Sequence, residues 1–114
     1  MRATKADCSI HFRLRDSDSE SATPITCFIE YNGKPLIKIA TGLKILPAKW
    51  NANKEKPITG MRGLTNFEAS IYLDKLSSMR ALIEQEFRGY VNQHNHYPDK
   101  MKFKIQLVKK MNGQ

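Results

Sequence analysis

The sequence predicts an α+β domain, on three observations. Residues 8 to 15, CSIHFRLR, alternate apolar and polar. Two more strand-like runs, PITCFIEY and KPLIKIAT, flank Asn32-Gly33. From Ala69 to Tyr90, apolar residues recur at steps of three and four. Period two marks a half-buried strand, Asn-Gly between such runs marks a hairpin, and the longer period marks an amphipathic helix.

The first strand places Cys8, Ile10, Phe12 and Leu14 on one face, and Ser9, His11, Arg13 and Arg15 on the other. DSDSESAT, polar and acidic, reads as a connection. Two registers suit the hairpin. A two-residue loop pairs Tyr31 with Lys34 and sets Lys38 opposite Cys27. A three-residue loop with Gly33 left-handed pairs Glu30 with Lys34. It puts Ile25, Cys27, Ile29, Pro35, Ile37 and Ile39 on one face, and Thr26, Phe28, Glu30, Lys34, Leu36 and Lys38 on the other. A one-residue slip moves every side chain across the sheet, so the second register, which keeps the lysines out of the core, is preferred.

TGLKILPAKWN follows. Thr41-Gly42 is expected to end the third strand, with glycine allowing a bend. Leu43, Ile45 and Leu46 then cross the sheet edge, and Pro47 opens a short helical segment. Trp50 has the area to fill the gap between sheet and helix, so it reads as core. ANKEKPITGMRGL, residues 52 to 64, reads as a loop. Thr65 and Glu68 fit a capping box, and behind them Ala69, Leu73, Leu76, Met79, Ile83, Phe87 and Tyr90 form the apolar stripe of a helix ending near residues 89 to 92. In the tail, KMKFKIQL alternates as a strand does. Pro98, the helical spacing of Met101, Ile105 and Val108, and Gly113 argue for a helix, which is the reading preferred.

The chain has 114 residues, enough for one domain, and 40% of them are apolar. Nineteen Lys and Arg against eleven Asp and Glu give a net charge of +8, which points to a polyanionic partner. Cys8 and Cys27 both fall on the core-facing side and read as buried thiols. No long apolar run or apolar leader occurs, so no membrane partner is expected and a cytoplasmic location is the default. Nucleotide-binding glycine motifs are missing. His94 and His96 fall short of a closed metal site, so neither a metal nor a cofactor is expected, nor a small-molecule substrate.

The order of motifs is more specific than any one of them. An alternating strand precedes P-I-x-x-x-I-x-Y-N-G-K, then T-G-x-x-x-x-P-x-x-W-N, a loop, and a long helix opening at Asn66. This order resembles the N-terminal arm-type DNA-binding domain of phage-integrase-like tyrosine recombinases, of the kind carried by mobile elements of Bacteroides-type bacteria. The resemblance covers about residues 5 to 92, and TGLKILPAKWN is its most specific part. It implies a three-stranded antiparallel sheet packed on one face by the long helix, over residues 1 to 94. Residues 95 to 114 would be a linker and the start of the helical core-binding domain. It also implies a parent enzyme whose catalytic Arg, His-x-x-Arg and Tyr lie on a later domain. None is recognisable here, so this chain is expected to have no enzymatic activity of its own.

In that arrangement the bare sheet face enters the major groove of double-stranded DNA. It would present His11, Arg13, Arg15, Thr26, Phe28, Lys34 and Lys38, with Lys44 and Lys49 beside Trp50 reaching phosphates. Arg13 is the first candidate for a bidentate contact to guanine, and Thr26 for a thymine methyl or base edge. Glu30 would pair with Lys34, and Arg2 and Lys5 would follow the DNA backbone or minor groove. Two other readings stand beside this one. One is a sheet that stacks RNA bases, which calls for two or more displayed aromatics. The other is a module that docks other recombinase subunits.

Overall fold

The computed structural model describes residues 8–33 and 35–113. A three-stranded antiparallel sheet, β1 (Ser9–Leu14), β2 (Thr23–Glu30) and β3 (Ile37–Ile45), has the order β1-β2-β3. A short 3-10 turn, Pro47–Lys49, leads into a two-stranded ribbon of β4 (Trp50–Asn51) and β5 (Lys56–Pro57). Helix α1 runs from Asn66 to His94 and α2 from Lys100 to Met111. The fold is therefore the expected α+β sheet with a long helix; α2 is the helix preferred for the tail, and the ribbon is an addition whose second strand lies in the segment read as a loop.

The core face of the sheet follows from alternation. Ile10 pairs with Ile29, Phe12 with Cys27, and Leu14 with Ile25. Cys27 in turn pairs with Ile39, and Ile29 with Ile37. All but the half-buried Leu14 are buried, and Ala69, Leu76, Met79, Ile83, Phe87 and Val91 of α1 are buried with them. Leu73, expected in that stripe, is exposed. Tyr72 packs against the core instead, and its hydroxyl donates to the Lys44 carbonyl at 2.7 Å.

The expected faces hold within β2 and β3, but Pro35, expected on the core face, is exposed, and the register is corrected. Pairing lies two residues further along β3 than a Glu30–Lys34 rung requires, so residues 31 to 36 connect the strands. Tyr31 explains the longer loop: its side chain is buried, and its hydroxyl donates to the Pro98 carbonyl at 3.0 Å. Asn32 (φ 52°) and Gly33 (φ 79°) both take the left-handed conformation that a tight reversal needs. Pro35 has no N–H for a ladder. Instead, Lys100 of α2 donates to the carbonyls of Gly33 and Pro35.

Thr41-Gly42 does not end β3, as the sequence suggests; it forms a bulge within it. Pairing runs from Thr26↔Ala40 to Pro24↔Lys44, which leaves residues 41 to 43 of β3 opposite Ile25 alone. Gly42 adopts φ 80°, and the buried Thr41 hydroxyl donates to the Ile25 carbonyl at 2.7 Å and accepts from the Leu43 N–H at 3.1 Å. The side chain replaces the ladder bonds that the bulge breaks. Beyond it Trp50 is buried, in keeping with a core role.

Helix α1 opens with the expected capping box, the Thr65 hydroxyl accepting from the Glu68 N–H and the Glu68 carboxylate from the Thr65 N–H. Hydrogen bonding from the Thr65 N–H, and next from the Thr65 hydroxyl, to the Glu68 carboxylate holds that carboxyl below its usual pKa. The helix outlasts the predicted end and stops at His94, where Asn95 is left-handed at φ 57°. Helix α2 is capped by Asp99, whose side chain accepts from the Lys102 N–H. It buries Phe103 and Leu107, whereas Met101 and Ile105, two of the three residues expected on its apolar stripe, are 74% and 51% exposed. Tyr31, Phe87, Tyr97 and Phe103 form one aromatic cluster, with ring centroids 4.7 to 6.1 Å apart.

Candidate nucleic-acid interface

Both helices share the core side of the sheet, and its other face is open. Three rungs cross that open face. His11, Phe28 and Lys38 form one, and Arg13, Thr26 and Ala40 the next. The third holds Pro24 opposite Lys44, with the Arg15 N–H donating to the Pro24 carbonyl at 2.9 Å. At the opposite end Ser9 faces Glu30.

The charge on this face is partitioned by strand. Arg13 and Arg15 extend from the β1 side, and Lys38 and Lys44 from β3; all four are exposed. The central strand contributes Pro24, Thr26 and Phe28, all uncharged and half-buried, and carries one charge, Glu30, at its end. Phe28 joins the two margins. The Arg13 guanidinium lies 5.7 Å from its ring centroid and the Lys38 ammonium 5.8 Å, within cation–π range. An aromatic platform between two cations draws their charged ends toward the middle of the sheet.

His11 differs from the other predicted contacts. Its Nδ1 lies 2.9 Å from the Glu55 carboxylate, which also accepts from the Phe12 N–H at 2.9 Å. Glu55 stands in the turn between β4 and β5 with φ 54°. On the same edge strand, Arg80 of α1 reaches the Ile10 carbonyl at 3.4 Å and lies 5.2 Å from the Phe12 ring centroid. The outer edge of β1 is thus covered by one carboxylate and one guanidinium, which blunts it against pairing with another strand.

The structure brings His11, Arg13, Arg15, Thr26, Phe28, Lys38 and Lys44 onto one surface. Lys34, Arg2 and Lys5 lie outside the described residues, as does the predicted Glu30–Lys34 pair. Lys49 is half-buried, and its charge helps lower the Glu68 carboxyl at the start of α1. Leu36 precedes β3 and is half-buried. Ala40 and Glu55 are additions. Ala40 was readable, since alternation carries Lys38 to Ala40 on one face; Glu55 sits in an aperiodic segment with no signal of its partner.

Among the described residues, no cluster of three or more His, Cys, Asp or Glu could hold a metal. His94 and His96 pack instead around Tyr90, with centroids 4.3 and 5.5 Å from its ring. No disulfide joins Cys8 and Cys27, and burial pushes the Cys27 thiol up to about 12. No helix among the described residues is long and apolar enough to cross a membrane. Comparison with protein-family models, curated proteins and solved structures returned no match.

Proposed function

We propose that this chain binds double-stranded DNA through the open face of its sheet, as the non-catalytic arm-type domain of a site-specific tyrosine recombinase. The observation that carries the reading is the partition of charge: cations on both outer strands, and an uncharged strip between them. A major groove has the matching cross-section, two phosphate strands with base edges between. Three strands at about 4.8 Å spacing span roughly 10 Å, and the groove is about 12 Å wide. Arg15, Lys38 and Lys44 then meet phosphates, and Arg13, held over Phe28, offers its guanidinium to a guanine edge. Base stacking of single-stranded RNA is less well supported, because Phe28 is the one Phe, Tyr or Trp on this face among the described residues, and its His11 neighbour is engaged by Glu55. The recombinase context rests on the motif order alone.

The test is fluorescence anisotropy with a duplex selected from a random pool and with its scramble, over a salt series. Log affinity should fall against log salt by about 0.9 per neutralised phosphate, so the three phosphate-contacting cations predict a slope of roughly −3. Arg13→Ala should remove most of the preference for the selected duplex. Absence of salt-dependent duplex binding at low salt sinks the proposal and turns attention to subunit contacts.

A further inference from the structure

We infer that the central strip of the open face reads the 5-methyl groups of thymines. The inference rests on the DNA reading and names what the middle of the site recognises. Thr26 and Ala40 lie opposite one another on one rung, and Phe28 follows Thr26 along β2 on the same face. Ala40 is exposed, and Thr26 and Phe28 are half-exposed. Together they present two aliphatic methyl-bearing side chains and an aromatic ring. Of the three, only Thr26 has a side-chain polar atom.

Such a strip has little with which to hydrogen-bond a base. In the major groove the donors and acceptors of guanine, cytosine and adenine would lose water against it without compensation. The thymine methyl is the apolar group in the code of that groove, and its burial against the strip is favourable. The cations above Phe28 leave Thr26 and Ala40 as the uncharged part of the strip. Arg13 and Lys38 approach the Phe28 ring from the outer strands. The predicted site therefore has thymines at its centre, with the guanine read by Arg13 beside them.

The experiment uses the full chain and the selected duplex, with each thymine replaced in turn by deoxyuridine, which removes only the 5-methyl. Burial of one methyl predicts about four-fold weaker binding at one or more central positions. Thr26→Ser keeps the hydroxyl and removes the methyl; Ala40→Gly removes the methyl of its neighbour. The deoxyuridine penalty at the position that each contacts should shrink in at least one of these variants, with thermal melts checking that they fold. Equal binding of every thymine and deoxyuridine pair, a selected site without central thymines, or a penalty unchanged in both variants overturns the inference and leaves DNA binding intact. Failure of any duplex to bind in a salt-dependent way overturns both.

Discussion

Glu55 holds Phe12 from 43 residues away, its carboxylate accepting the Phe12 backbone N–H at 2.9 Å while the other oxygen meets His11. The contact ties the β4–β5 turn to the outer edge of the sheet. Glu55→Ala should cost about 1 kcal/mol, since water can reach the released N–H. Glu55→Gln, which keeps an acceptor, should cost less. Urea unfolding measures both. Removing this negative charge beside the open face should also tighten DNA binding at low salt. Weaker binding by a folded Glu55→Gln protein would contradict the face assignment.

The β3 bulge depends on Thr41. Its buried hydroxyl donates to the Ile25 carbonyl and accepts from the Leu43 N–H, beside the bulge. Thr41→Val keeps the shape and strands both groups, at an expected cost of about 1–3 kcal/mol. Thr41→Ser should lose far less. Gly42→Ala meets no neighbour within 4 Å, yet at φ 80° it is strained by about 1–2 kcal/mol. Equal stability of the valine and serine variants would show that the hydroxyl bonds are dispensable.

Alkali should destabilise the fold through Cys27. Burial raises its thiol from 9.0 to about 12, so between those values the folded state holds a proton that the unfolded chain has released. Stability is then fully present below pH 9 and falls as pH rises toward 12, by up to about 1.4 kcal/mol per pH unit for one such group. Burial raises the Tyr31 hydroxyl as well, adding a fall of the same sign at higher pH. In Cys27→Ala, the decline of the urea midpoint between pH 9 and pH 10 should flatten. An unchanged slope would assign the alkaline loss elsewhere.

The two faces of the sheet were legible because the register differs from the expected one by two residues, and a two-residue slip exchanges partners but no side chain changes sides. Loop length was not legible, because Tyr31 is claimed by Pro98, Phe87, Tyr97 and Phe103, all more than 50 residues on. The charge partition was legible once the faces were known. The restraint on His11 was not, since Glu55 is 44 residues away and lies in a segment with no period. Local pattern sets which side a residue faces; distant packing sets where strands stop.

Helix α2 makes the same distinction testable. Met101, Ile105 and Val108 have helical spacing, but so do Phe103 and Leu107, and periodicity cannot rank two stripes. Tertiary packing does. Lys100 anchors the helix start to the hairpin carbonyls, and the Phe103 ring then meets Tyr31 and Phe87 at 6.1 and 5.9 Å. With Phe103 1% and Leu107 0% exposed, Phe103→Ala should cost about 3–5 kcal/mol and Leu107→Ala about 2–5. Met101→Ala and Ile105→Ala should stay within about 0.5 kcal/mol. A chain ending at residue 96 should lose at least as much as Phe103→Ala, because it exposes Tyr31 and Phe87 to water. Urea midpoints for the five proteins decide it: if Met101→Ala were as damaging as Phe103→Ala, α2 would be packed through its other face, and the aromatic cluster would not hold it to the sheet.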